Sequence, residues 1–408
     1  MKAKNYSLND TKLDDSKVFR DAVHNYIHVD QPVILDLINS KEMQRLRRIK
    51  QLGGTHLVYQ SAEHSRFCHC LGVYFIVRKM IFNSEVGKYL SDYDKLTVMC
   101  AALLHDLGHG PFSHCFEGAF GLNHEEYTVK IINGNSEVNC ILESFEKGFS
   151  KKVSSIIEKT HPNTILIQMI SSQLDADRMD YLLRDSYFTG TTYGHFDLYR
   201  ILRVMKVVDN KIVYKYSGVQ AIENYILARY HMYWQVYYHP TSRSYEQLLI
   251  SIFRRMKDLY NEGYDFGDIR YLKPFLDGNV NEVDYVKLDE SIVLYYFRLL
   301  SESNDKILAD LCDRFLNRKL FAYRDLNNEE EKIKIIKEFA KSGIAVRYYV
   351  VSDDQSQIPY LYYDNNEVNA IEILVNHELK LLPEVSEIVG AITNSSKNKI
   401  DHKIFYPE

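Results

Sequence analysis

The stretch "AALLHDLGHGPFSHCFE", residues 101–117, constrains the fold more than any other part of the chain. An apolar run with helical spacing ends on His105 and Asp106, and Gly108, Gly110 and Pro111 stop a helix directly afterwards. In a helix His105 and His109 share a face, being four apart. At a helix end, neighbouring side chains converge on one point with little crowding. His114 follows on the exit turn and Glu117 three residues later. Core packing needs no such mixture, and neither does a turn. Imidazole and carboxylate together suit a divalent metal such as Mn, Fe, Zn or Mg.

Two such ligands do not complete a site, and two other stretches offer the rest. In "EHSRFCHCLGVY", Arg66 and His69 lie three apart on one helical face. A cation beside a metal ligand makes sense if the ligand is a phosphate. In "LDADRMDYLLRD", Asp177, Tyr181 and Asp185 recur every four residues, presenting a carboxylate, a phenol and a second carboxylate in a row. Taken singly, each has an ordinary reading: a chance HD dipeptide, a hydrogen-bonded histidine, a solvated helix charge, a core tyrosine. Their combination shifts the balance towards a functional reading. Seven of the 15 histidines fall between His56 and His124, which points to a metal centre.

Periodicity predicts a mainly α chain. "KVFRDAVHNYIHVD" suggests a short hairpin or an extended entry. "PVILDLINSKEMQRLRRIKQLGG" reads as one helix stopped at Gly53-Gly54. "HSRFCHCLGVYFIVRKMIF" and "YDKLTVMCAALLHDLG" follow as helices, with further helical patterns over 124–145, 164–186 and 219–262. After about residue 315 the pattern changes. "AVRYYVVS" and "IPYLYYD" read as strands split by a polar turn at "DDQSQ", and "PEVSEIVGAIT" as a helix, giving a small C-terminal α+β lobe.

With 408 residues, 46% of them hydrophobic, the chain can bury a large core. A formal net charge of −5 predicts no bulk attraction to nucleic acid. The six cysteines include no CxxC pair, and Cys68-x-Cys70 is at best a weak zinc signal. A reducing, cytoplasmic setting without a disulfide framework is expected. The polar start "MKAKNYSLNDTKLDD" reads as a flexible arm over 1–16, not a signal peptide. No apolar run is long enough to predict a membrane span.

The order of these motifs resembles the HD-domain phosphohydrolases. The closer resemblance is to their deoxynucleoside triphosphate triphosphohydrolase branch, which includes sterile-alpha-motif/HD enzymes and bacterial homologues. The residues that carry it are "KVFRDAVH", "QRLRRIKQLGG", "SRFCHCLGVY", "HDLGHGPFSHCFE", "NHEEYT", "LDADRMDYLLRDSYFTG", "FDLYRILRV" and "LFAYRD", in order, over roughly residues 17–325. The resemblance implies an HD-domain helical bundle over 17–317 and a lobe over 318–408, without a sterile-alpha-motif domain. It implies that His69, His105, Asp106 and Asp177 hold the metal. His109, His114, Glu117 and His124 would surround the scissile phosphate. Arg66, Arg178 and Arg229 would meet the triphosphate, with a second Mg on the nucleotide. Gln51 and Leu52 would face sugar and base, and Tyr181 and Asp185 the sugar.

The implied reaction is hydrolysis of a dNTP to deoxynucleoside and intact triphosphate. A homodimer or homotetramer regulated by a nucleotide activator is also implied, with Gln44, Arg47 and Arg200 at activator positions. Arg178 stands where mammalian members carry Lys. Asn39 and Pro240 stand where they carry an activator-site Asp and Lys, so guanine-nucleotide activation by the mammalian scheme is not expected. Other HD chemistries, on nucleoside monophosphates, cyclic nucleotides or alarmones, are the rival within catalysis. Outside it, the rival is a nucleotide-sensing or nucleic-acid-binding scaffold with a vestigial site, for which "QRLRRIK" and "FRRMK" are the available basic clusters.

Overall fold

A computed structural model describes residues 13–356, 370–394 and 400–408. The fold is mainly α, as the periodicity predicts. Its centre is the helix Arg66–Asn83, buried on nearly every side. Against it pack Asp92–Leu104 and Ala176–Thr189. Asp92–Leu104 begins in a capping box, where Ser91 accepts from the Asp94 amide while the Asp94 carboxylate accepts from the Ser91 amide. From Leu96 to Leu104 it is buried throughout. Ala176–Thr189 is capped by Asp175, which accepts from the Arg178 amide, and ends on Gly190 in the left-handed conformation.

The Ala176–Thr189 and Arg66–Asn83 helices touch at Gly72. A Cβ there would lie 1.8 Å from Asp180 Oδ1, so only glycine permits the approach. One apolar core runs from Ile27 in the N-terminal hairpin to Phe405 near the end of the chain. Among the described residues no helix is long and apolar enough to cross a membrane.

The hairpin forms as expected, Lys17–Asp21 against Asn25–Val29. Residues 1–12 of the expected arm lie outside the described residues, while Leu13 donates to the Asp30 carbonyl at 2.7 Å. The single helix expected from Pro32 divides into Pro32–Asn39, Lys41–Arg45 and a 3-10 turn Leu46–Arg48. Ser40 is the reason. Its backbone is extended, and its hydroxyl accepts from the Met43 amide, offering the chain a cap where a helix would otherwise continue. The pattern over 219–262 is likewise interrupted, by a π-helical turn Tyr233–Tyr237 ahead of Pro240–Asn261.

The C-terminal segment supplies strands to two sheets. Glu372–Val375 and Glu378–Leu381 extend a hairpin of Met205–Val208 and Lys211–Lys215, with Tyr214 and Ile373 paired in parallel. Ala322–Asp325 and Val351–Ser356 flank Ile400–Tyr406 in an antiparallel sheet. Two expectations fail here. Val346–Tyr349 is a helical turn, and "DDQS" continues the strand instead of reversing it. Buried Arg243 explains this, because its Nε donates to Asp353 (2.8 Å) and its Nη1 to Asp401 (2.5 Å), satisfying acidic residues that would otherwise prefer a turn. The run "IPYLYYD" lies outside the described residues. The helix expected over "PEVSEIVGAIT" breaks at Ser386, whose hydroxyl donates to Glu223 (2.6 Å) and caps the next helix through the Val389 amide.

Candidate active site

Three helix ends deliver the metal-ligand candidates. His69 projects from the first turn of Arg66–Asn83, and Asp177 from the first turn of Ala176–Thr189. Asp92–Leu104 stops one residue before His105, which is its C-cap. The helical face expected to carry His105 and His109 together is therefore absent, and a tight turn brings His109 round instead. Thr128 fixes that turn by donating to the His105 carbonyl (3.0 Å) and accepting from the Gly108 amide (2.8 Å). A Cβ at Gly108 would lie 2.1 Å from the His124 carbonyl, so the close approach needs glycine.

The four groups converge. Nε2 of His69 lies 3.0 Å from Asp177 Oδ1, and Nε2 of His105 lies 3.3 Å from Asp106 Oδ1 and 3.7 Å from Asp177 Oδ1. Donor atoms of His69, His105 and Asp106 all fall within 4.8 Å of one another. The second nitrogens are occupied: His69 Nδ1 by Asp180 (2.8 Å) and His105 Nδ1 by the Ala102 carbonyl (2.9 Å). Such partners orient each ring so that its Nε2 faces the carboxylates. His105 Nε2 is buried without a hydrogen-bond partner, facing two carboxylates. Two imidazoles and two carboxylates form a donor set suited to a divalent ion.

Electrostatics favour a cation there. Burial disfavours charge on His69, yet the Asp177 and Asp180 carboxylates raise its pKa to about 10. Burial likewise opposes ionisation of Asp106, but His105 and Arg66 hold its carboxyl well below the usual range. A field that binds a proton this firmly also attracts a metal.

A second cluster adjoins the first. Glu117 Oε1 lies 3.2 Å from His109 Nδ1 and 2.9 Å from His124 Nδ1, and Oε2 lies 3.5 Å from His114 Nδ1. The His109 and His124 rings stack at 3.9 Å. Burial and the Arg66 charge push His109 down to about 3, so it is neutral. Burial opposes charge on Glu117, but the three histidines hold its carboxyl far below its ordinary range. Among the described residues, neither Cys68 nor Cys70 joins either of these groups.

Phe112 and Ser113 link the clusters with positive φ (59° and 55°), uncommon for residues other than glycine. Surrounding contacts hold them there. Ser113 Oγ accepts from Arg66 Nε (3.0 Å) and donates to the Lys50 carbonyl (3.2 Å), while Glu290 Oε1 accepts from the Lys50 (2.8 Å) and Phe112 (3.2 Å) amides. Burial pushes Glu290 up to about 7, against those two amide bonds. The folded chain therefore keeps a proton between pH 4.5 and 7 that the unfolded chain has released. Stability present below pH 4.5 is lost as pH rises to 7. Glu290→Gln, neutral at every pH, should remove roughly 3 kcal/mol of that slope. Urea midpoints of both forms at pH 5 and 8 measure it, and parallel shifts would refute it.

Both clusters open on one cavity of about 460 Å³. Of the residues singled out from sequence, Gln51, Leu52, Arg66, His69, Asp106, His109, His114, His124, Asp177, Tyr181 and Asp185 line it. His105 and Glu117 stand behind that lining, with donor atoms directed at their clusters. Arg178 and Arg229 are not on the wall. Arg178 is engaged by the Asp175 carboxylate and the Ser172 carbonyl (2.6 Å). Arg229 is buried, donating to Gln173 Oε1 (3.0 Å). Nor do the three activator candidates reach the cavity. Gln44 accepts from Arg47 Nε (2.8 Å), Arg47 lies 3.6 Å over the Phe67 ring, and Arg200 donates to the Ser217 carbonyl (2.6 Å).

Sequence reasoning missed part of the wall. Tyr233, Tyr237 and Tyr238 arrive from the π-helical turn, Glu246 from the next helix and Gln355 from the C-terminal sheet. The abundance of tyrosine, 32 residues, was a signal without an address. Tyr237 donates to Asp185 Oδ2 (2.8 Å), and His64 meets Oδ1 (2.7 Å), so Asp185 is held on both sides. Asp180 was missed as well. It meets His24 (2.6 Å), His69 (2.8 Å) and Arg184 (2.9 Å) without touching the cavity.

The chain is similar to known proteins over almost its whole length. The HD domain family matches residues 66–185, and the HD associated region matches 196–408. The uncharacterized protein YwfO of Bacillus subtilis is 49% identical, over 97% of this chain and 93% of its own. A deoxynucleoside triphosphate triphosphohydrolase SAMHD1 homolog of Dictyostelium discoideum is 31% identical, over 89% of this chain and 72% of its own. A phosphohydrolase of Bacteroides thetaiotaomicron superposes with a TM-score of 0.85 at 29% identity, covering 97% of this chain and all of that one. With its His-Asp quartet on three packed helices and its matching C-terminal half, the chain belongs to the HD-domain family, in the group that carries the HD associated region.

Proposed function

We propose that the protein hydrolyses deoxynucleoside triphosphates to deoxynucleoside and intact triphosphate. The observation that carries this reading is the single cavity joining the His-Asp quartet to Tyr181 and Asp185. A phosphate bound at the quartet has a sugar-sized space beside it. A divalent ion held by His69, His105, Asp106 and Asp177 would supply Lewis acidity at the α-phosphate and lower the pKa of an attacking water.

The chain's own groups do the rest. Arg66, beside Asp106 (2.5 Å), offsets phosphate charge. Arg229 contributes through the field near Tyr181, and Arg178 must leave Asp175 to touch the triphosphate, which a second Mg would accompany. The leaving 5′-oxygen is strongly basic and takes a proton from His124. Glu117 orients that ring, while neutral His109 relays the arrangement to Asp106. Such general acid catalysis is worth about 10²–10⁴ in rate. Dimers or tetramers with a nucleotide bound near Gln44, Arg47 and Arg200 belong to the same proposal.

Incubation with each dNTP, alone and mixed, under Mg²⁺ and Mn²⁺, tests it by chromatography. Tripolyphosphate is the expected product; phosphate or pyrophosphate would point to another HD chemistry. Tyr181 lines the cavity, its ring meeting Tyr237 edge-on at 6.1 Å, and in this reading packs under the sugar and excludes a 2′-hydroxyl. Tyr181→Ala is expected to reduce the preference for dATP over ATP at least about tenfold, by freeing one hydroxyl-sized space. Equal selectivity in both forms would remove Tyr181 from that role.

A further inference from the structure

We propose that His109, His114, Glu117 and His124 form a second cation site, which takes a transition-metal ion of the zinc class and shuts down the reaction when filled. The inhibitory part rests on the proton-delivery reading above; the binding part does not.

The donor set is the first ground. Three imidazole nitrogens and one carboxylate are ordinary ligands for zinc, which prefers four-fold tetrahedral coordination. All four donor atoms lie within 4.8 Å of one another. Zn–N and Zn–O bonds of about 2.0–2.2 Å in a tetrahedron place donors roughly 3.3 Å apart. The Glu117 oxygens stand 3.2, 3.5 and 2.9 Å from Nδ1 of His109, His114 and His124.

The second ground is independent. The contacts of His109 and His124 with Glu117 Oε1 lack hydrogen-bond geometry. Nδ1 of His109, Nδ1 of His124 and Oε1 of Glu117 are all buried without a hydrogen-bond partner. His109 is only 2% exposed, so water does not satisfy it from outside. Buried polar atoms are nearly always paired, and three orphans facing one another mark a place for something else. The stacked His109 and His124 rings direct both Nδ1 atoms at one carboxylate oxygen, as ligands of one ion would be directed.

The backbone is built to hold this arrangement. Gly108 permits the approach to the His124 segment, and the positive-φ pair Phe112–Ser113 turns the chain so that His114 begins the next helix with Glu117 one turn on. His114 is the exposed member and leaves an entry path from solvent. The site is distinct from the first centre but touches it, since His109 Nε2 lies 3.5 Å from Asp106 Oδ1. The two nitrogens of one ring thus face the two clusters. An ion at the second site takes the lone pairs that would otherwise carry protons, so no acid remains for the leaving oxygen.

The test counts metal. Protein loaded at the first centre is titrated with Zn²⁺ alone by calorimetry, desalted and assayed for metal, with circular dichroism as a check of folding. One further zinc equivalent per chain is expected in the wild type and none in His114→Ala or Glu117→Gln. Exposed His114 can be shortened without opening the core, so loss there is not loss of fold. Co²⁺ in place of zinc should give an intense tetrahedral visible band that both variants lack. No additional equivalent in the wild type, or the same equivalent in both variants, overturns the site. With dNTP in excess Mg²⁺ and free Zn²⁺ buffered, turnover should fall at least tenfold as the second equivalent binds; unchanged turnover at full occupancy overturns the inhibition. If zinc binds as expected and no dNTP is ever hydrolysed, the substrate reading fails and the cation site stands.

Discussion

Asp177→Ala is expected to lower dNTP turnover by about 10³-fold or more while leaving the chain folded. Its carboxylate is the point where two helix ends meet, 3.0 Å from His69 and 3.7 Å from His105. Lewis-acid assistance is worth several kcal/mol of transition-state stabilisation, and each 1.36 kcal/mol is tenfold in rate. The side chain is partly exposed and sits in the first turn of its helix, so shortening it opens no cavity in the core. Metal content and rate should fall together. A variant that keeps its full complement of metal and a rate within tenfold of wild type would remove Asp177 from the ligand set.

Asp180→Ala should produce the opposite balance, with a large loss of stability and a secondary loss of function. Asp180 is fully buried and receives His24, His69 and two nitrogens of Arg184, itself buried and paired with Asp21. Burial alone would keep its carboxyl neutral, but Arg184 and the two histidines hold it ionised. Removing one partner of such a pair strands the others, which costs about 3–5 kcal/mol. It also frees His69 Nδ1, and loss of a ligand's supporting partner typically costs 10–100-fold in metal affinity. Denaturant midpoints and a metal titration separate the two effects. Asp180→Asn, which keeps the shape, should recover part of the stability. Wild-type stability in Asp180→Ala would mean that the network contributes nothing net.

What could be read from the chain beforehand was chemistry at short range. The Asp177, Tyr181 and Asp185 spacing needed only a regular helix, and all three reach the cavity. His105 and His109 failed as a helical pair because the Asp92–Leu104 helix ends one residue early, a matter of capping by Thr128, which lies more than twenty residues away. Ser40 divided a helix that periodicity joined, because an apolar pattern does not register a hydroxyl competing for backbone donors. Arg178 lies three residues after the helix cap Asp175, whose carboxylate holds its guanidinium, a local tie that the motif reading overlooked. Gln355 reaches the cavity from the strand Val351–Ser356, which Arg243 of a distant helix ties down at Asp353. No local pattern could announce that contact between helix and strand.

Gly72 has no side chain to offer a metal and is not on the wall of the active-site cavity, yet the contact between two helices closes over its missing side chain. A single methyl there would part the helices at the carboxylate that steers His69. The lesion would mimic the deletion of a metal ligand in a protein whose ligands are all intact. In relatives of this chain, an alanine at that position is therefore a warning that a complete set of HD residues does not guarantee a working centre.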